Sequence, residues 1–113
     1  MTFIQPTMFV AQFRRLKLTD DDLRSLEQQI AANPEIGKVM ARTGGVRKLR
    51  FAPPSRRMGK RGALRVCYTW FPRHATVGLF MIYPKNEQQT LTPDDEKICR
   101  LLVQQMQVAL TKG

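Results

Sequence analysis

Residues 64–71, Leu-Arg-Val-Cys-Tyr-Thr-Trp-Phe, are rich in β-branched and aromatic side chains, and a second such run returns over residues 76–83 after Pro72-Arg73-His74-Ala75. Two strand-like runs joined by a short proline-containing turn predict a β-hairpin, and that hairpin commits the rest of the chain to covering it. Alternation puts Leu64, Val66, Tyr68 and Trp70 on one face and Arg65, Cys67 and Thr69 on the other. Tyr68 is therefore read as a core residue. His74, in the turn, reads as exposed, and Pro84 closes the returning strand because proline offers no ladder donor.

The flanking sequence supplies the cover. Phe3 and Ile4 form a short opening strand, and a helical turn or two follows Pro6. Thr19 before Asp20, Asp21 and Asp22 caps a helix whose apolar stripe is Leu23, Leu26, Ile30 and Ala31 and whose end is Asn33-Pro34. Residues 36–40 form a short element of ambiguous period before the Thr43-Gly44-Gly45 turn. Residues 46–51 alternate as a strand with Val46, Lys48 and Arg50 on one face and Arg47, Leu49 and Phe51 on the other. Thr92-Pro93-Asp94-Asp95 opens a last helix, with Ile98, Leu101, Leu102, Gln105, Val108 and Ala109 giving it an apolar side. The expected fold is one α+β domain over residues 1–113: an antiparallel sheet covered on one face by the N-terminal helices, with a C-terminal helix.

Charge then narrows the function. Between Glu35 and Glu87 the chain carries Lys38, Arg42, Arg47, Lys48, Arg50, Arg56, Arg57, Lys60, Arg61, Arg65, Arg73 and Lys85 and no carboxylate, within an overall formal charge of +10. Such clustering favours a phosphate-bearing polyanion through steering and counterion release. The stretch over 52–62, with Pro53-Pro54, Gly59 and Gly62, reads as an exposed loop that orders on a partner. Two cysteines and one histidine cannot supply a four-ligand zinc set, so no structural metal is expected. The longest apolar run, residues 77–83, is far shorter than the roughly 20 residues of a membrane helix, and a soluble, cytoplasmic protein is expected.

Asn33-Pro34-Glu35-Ile36-Gly37, Gly44-Gly45-Val46-Arg47-Lys48-Leu49-Arg50, Gly59-Lys60-Arg61-Gly62, Arg65-Val66-Cys67-Tyr68 and Tyr83-Pro84-Lys85-Asn86-Glu87 occur in one order across about residues 33–90. In that order and spacing the chain resembles the RelE/HigB superfamily of bacterial type II toxins, particularly its HigB-like branch. The resemblance implies a curved sheet with a basic concave face. It implies an mRNA interferase that cuts messenger on the ribosome and is silenced by a cognate antitoxin, expected to carry a helix-turn-helix domain.

In metal-free RNA cleavage the ribose 2′-hydroxyl attacks the adjacent phosphorus, so the protein needs to align that oxygen, stabilise charge and move protons, with no cofactor. By position in the resemblance, Lys48 and Arg50 match a basic pair on one strand, Arg65 a basic residue on the next, Lys60 and Arg61 approach from the loop, and Tyr83 and Lys85 from the end of the last strand. Arg50 and Arg65 suit phosphate stabilisation, since a guanidinium fork never loses its charge. Lys48, Lys60 or Lys85 would carry protons, and Tyr83 would stack on a base or orient the ribose. Arg47, Arg56, Arg57, Arg61 and Arg73 are expected as RNA contacts. The rival expectation is a non-catalytic relative on the same scaffold, either a gyrase-inhibiting ParE-like toxin or a plain nucleic-acid binder, which would not need Arg50, Arg65 and Lys85 to converge.

Overall fold

The computed structural model describes residues 1–56, 63–85 and 91–112. In chain order the elements are β1 (Thr2–Ile4), α1 (Thr7–Arg15), α2 (Asp20–Ala32), β2 (Lys38–Val39), β3 (Arg47–Phe51), β4 (Leu64–Phe71), β5 (Thr76–Pro84) and α3 (Pro93–Lys112). The strands form one sheet in the order β1-β5-β4-β3-β2. Strands β2 to β5 pair antiparallel, but β1 runs parallel to β5, so the sheet is mixed rather than purely antiparallel. The expected hairpin is present. Its turn is a short 3-10 segment, Pro72–His74, closed by Ala75 in the left-handed region at φ 44°.

One face of the sheet carries Leu49, Phe51, Leu64, Val66, Tyr68, Val77, Leu79 and Ile82, packed against Phe9 of α1 and Leu26 and Ile30 of α2. Beyond Gly78 the outer edge of β5 runs past the end of β1, and the amide of Ile82 donates to Gln12 Oε1 of α1 at 3.0 Å. The opposite face packs Val46, Cys67, Phe80 and Tyr83 against Cys99, Leu102, Val103 and Met106 of α3. The C-terminal helix thus lies on the basic side of the sheet. Its inward stripe differs from the expected one: Ile98, Leu101 and Val108 are about half exposed. Apolar residues surround much of this helix, so period alone does not set its rotation.

The β4–β5 ladder shifts register between Cys67 and Tyr68: Cys67 faces Met81, whereas Tyr68 faces Leu79. Phe80 is the extra residue of a β-bulge. Because of it, Val77 and Leu79 point to the N-terminal helices while Met81 and Tyr83, further along the same strand, pack on the α3 side.

Two local sites hold the frame. Gly37 is enclosed, because a Cβ there would lie 2.9 Å from Tyr68 Cε1 and 3.1 Å from both Arg47 Cβ and the Lys48 carbonyl oxygen. Its amide donates to the Tyr68 hydroxyl at 3.0 Å, and that hydroxyl donates to the Pro34 carbonyl at 2.8 Å. Gly37→Ala is expected to cost about 1–3 kcal/mol through overpacking, read as a lower denaturant midpoint at unchanged slope. An unshifted midpoint would show that the pocket yields freely.

Asp22 is the second. Its buried carboxylate accepts from the Thr19 amide at 2.8 Å, the Ser55 amide at 3.0 Å and the Ser55 hydroxyl at 2.6 Å, while Thr19 Oγ1 caps the Asp22 amide. Burial by itself raises the pKa of this group, but the hydrogen bonds from Ser55 and Thr19 together outweigh it and hold the carboxyl below its ordinary 3.8. A depressed folded pKa contributes stability that is present above the unfolded value and lost as pH falls through the folded one. The melting temperature of the native protein should therefore exceed that of Asp22→Asn at neutral pH, with the gap closing below pH 3.8. A gap that stays constant on acidification would contradict this assignment.

Candidate functional site

Strand alternation and register assemble the site. Arg50 of β3 stands directly opposite Arg65 of β4, and Arg65 stands opposite Tyr83 of β5, so the three form one row across the sheet on the α3 side. The next row inward is Lys48, Cys67 and Met81. Like charges directly opposite on paired strands destabilise a sheet, yet Arg50 and Arg65 occupy that relation with no ion pair among the described residues. Arg50 is exposed and Arg65 half-buried. The Nη1 atom of Arg65 is buried with no hydrogen-bond partner among the described residues. A buried guanidinium donor left unmatched is costly, and an anion bound against it would supply the missing acceptor.

Lys48 lies half-buried beside this row, where a cleft of about 280 Å³ is lined by Met40, Ala41, Arg42, Lys48, Tyr83, Leu91 and Glu96. Lys85 is exposed, two residues beyond Tyr83 at the same end of the sheet. Tyr83 is only 4% exposed and packs with Cys67, Phe80 and Cys99, so its ring has no free face for stacking on a base. Its hydroxyl lies 3.9 Å from the Cys67 sulfur. Burial, then the neighbouring Cys67 sulfur, push the phenol above its ordinary value of 10, so it remains protonated at neutral pH. Burial likewise pushes the Cys67 thiol up to about 11, which makes it an inert wall of the site.

Other basic residues of the stretch are placed elsewhere. Arg47 points to the opposite side of β3 and donates to the carbonyls of Gly37 at 2.8 Å and Glu35 at 3.2 Å. Arg56 donates to the Leu16 carbonyl at 2.6 Å, tying the segment after β3 to the end of α1. Arg73 is exposed in the hairpin turn, roughly 20 Å from the Arg65 end of β4 at the usual rise per residue. Arg57, Lys60 and Arg61 lie outside the described residues.

Two residues that the sequence reading did not place in the site line its cleft. Glu96, in the first turn of α3, is held by Arg42, whose Nε approaches both carboxylate oxygens at 3.2 Å. Arg42 adopts φ 62°, and its carbonyl accepts from Arg100 Nη1 at 2.6 Å, so the turn before β3 is fastened to α3 at two points. The only hint of this in the sequence is the capped start of the helix at Thr92, whose hydroxyl accepts from the Asp95 amide at 3.1 Å.

The arrangement offers paired guanidinium groups, a nearby ammonium and a protonated phenol on one strand-built surface. That set can hold a phosphodiester and stabilise extra negative charge on it. No helix among the described residues is long and apolar enough to cross a membrane.

No protein-family model matches the chain. Among solved structures it is similar to the E. coli toxin RelE, solved in the free state as a double arginine-to-alanine mutant, with a TM-score of 0.54 over 78% of this chain and 86% of that one at 11% identity. At that identity the likeness concerns architecture, and the protein has a RelE-like α+β fold.

Proposed function

We propose that this protein is a toxin of the RelE/HigB type, close to the HigB-like branch, that cleaves mRNA on the ribosome in the cytoplasm and is neutralised by a cognate antitoxin with a helix-turn-helix domain. The observation that carries the reading is the Arg50–Arg65 pair: two cations directly opposed on a RelE-like sheet, one with a buried donor still unmatched. A purely structural sheet gains nothing from that opposition.

The chemistry follows from the substrate's own nucleophile. The 2′-oxygen forms a bond to phosphorus while the bond from phosphorus to the 5′-oxygen breaks, giving a cyclic 2′,3′-phosphate and a free 5′-hydroxyl. Arg50 and Arg65 grip the non-bridging oxygens, whose charge grows in the transition state. Lys48, Lys60 or Lys85 are the groups proposed to take the proton from the 2′-hydroxyl and return one to the leaving oxygen. Tyr83, buried and protonated, supports the position of Arg65 across the ladder rather than stacking on RNA. No metal or cofactor enters these steps.

The test is a translation reaction with purified ribosomes and a defined messenger, with cut ends mapped by primer extension. Discrete cuts that require the ribosome support the reading. Intact messenger, together with lost DNA supercoiling by gyrase, would instead support a ParE-like inhibitor. Salt-sensitive RNA binding with neither effect would support a plain nucleic-acid binder.

A further inference from the structure

A surface shaped for phosphate has little use for a carboxylate, yet Glu96 sits at the edge of the basic row with its side chain only 12% exposed. Its partner Arg42 is 73% exposed, so one member of the pair is fixed and the other is free to leave. The contact itself is weak. One N–H is shared between two oxygens at 3.2 Å, longer than the roughly 2.7–2.9 Å of a strong charge-assisted bond. Among the described residues, most acceptor capacity of the carboxylate is therefore unused.

The walls around it suit a flat heterocycle. Met40 and Leu91 give half-buried apolar lining, and Tyr83 and Lys48 line the same cleft. Lys48 lies on the same strand face as Arg50, two residues away, so a base in the cleft belongs to a nucleotide adjoining the phosphate between Arg50 and Arg65. Unstacked RNA bases are read along their Watson–Crick edges, and a carboxylate there accepts only. Guanine presents two neighbouring donors, N1–H and N2–H. Adenine and cytosine set an unprotonated ring nitrogen beside their amino group, and uracil flanks its single N–H with carbonyls, so each of these turns a lone pair toward Glu96.

We propose that the cleft lined by Met40, Lys48, Tyr83, Leu91 and Glu96 is a guanine-recognition subsite, in which the two Glu96 oxygens accept from N1–H and N2–H after Arg42 turns out to solvent. The inference rests on the reading of this face as an RNA-binding surface. Until RNA binds, Arg42 is a placeholder that mimics the base's donors.

The experiment measures equilibrium binding of short single-stranded RNAs that differ at one base and carry 2′-O-methyl groups to prevent cutting. Native protein, Glu96→Gln and Arg42→Ala are compared, with melting curves to confirm folding. Native protein should bind the guanine-containing RNA about 5- to 100-fold more tightly than the other three, the range that one bidentate pair discriminates. Glu96→Gln should erase that preference while leaving the other three affinities in place, and Arg42→Ala should retain or increase it. Equal binding of all four RNAs by native protein, no binding of any of them, or an unchanged preference in Glu96→Gln would overturn the subsite. A uniform weakening of all four by Glu96→Gln would overturn it too, leaving Glu96 as a fastening for α3. Guanine preference in binding with no cleavage on the ribosome would remove the enzyme reading and leave the subsite standing. Ribosomal cuts with no base preference would do the reverse.

Discussion

Arg65→Ala should lower ribosome-dependent mRNA cleavage by on the order of 10² to 10³, the usual effect of deleting a donor aimed at developing charge. The same substitution removes one of two opposed cations from the β3–β4 ladder, so thermal stability should hold or rise by about 0.2–1 kcal/mol. That combination separates a chemical role from a structural one, since a residue that supports the fold loses both together. Arg65→Lys keeps the charge without the fork and should recover only part of the rate. Single-turnover cleavage with mapped ends, alongside a melting curve, reads both quantities. Native rates in Arg65→Ala would end the assignment.

Phe51→Ala should have the largest effect on stability. Its ring is 1% exposed, and its ladder partner is Leu64 at the end of the β3–β4 pairing, in the core shared with Leu26 and Ile30. Truncating a buried Phe costs about 3–5 kcal/mol, which for a domain of this size lowers the melting temperature by on the order of 10–20 °C. The Arg50–Arg65 row is the next rung of that ladder, so activity should fall before global unfolding begins. A shift of only a degree or two would mean that the ring is not held as the packing indicates.

Much of the frame was legible in the sequence for a simple reason: β-strand alternation and helix caps are local rules. The face split of Lys48 and Arg50 from Leu49 and Phe51 follows from a period of two, and the capped starts at Thr19 and Thr92 follow from side-chain acceptors set before free amides. The fate of each positive charge was not local. Arg47 and Arg56 satisfy backbone carbonyls on other segments, while Arg50 and Arg65 face each other across the ladder, and a count of basic residues treats all four alike. Glu96 lies outside the carboxylate-free stretch and reaches the basic face only because α3 folds back over it. The rotation of that helix is decided by contacts such as Met106 over Gly78, where a Cβ would come within 2.6 Å of the methionine sulfur. Neither residue announces that pairing.

The bulge at Phe80 has an evolutionary corollary. Residues 77–83 form an unbroken apolar run, so composition does not record which side each residue serves; the pairing with β4 and the place of the bulge do. Deleting one residue there would remove the bulge and make β5 a regular strand, leaving Ile82 toward the N-terminal helices and Tyr83 beside Arg65. In chains descended from a common ancestor with this one, β5 should therefore tolerate exchanges among apolar residues and also the loss of its one extra residue. The order of inward and outward residues, more than their number, is the heritable quantity in that strand.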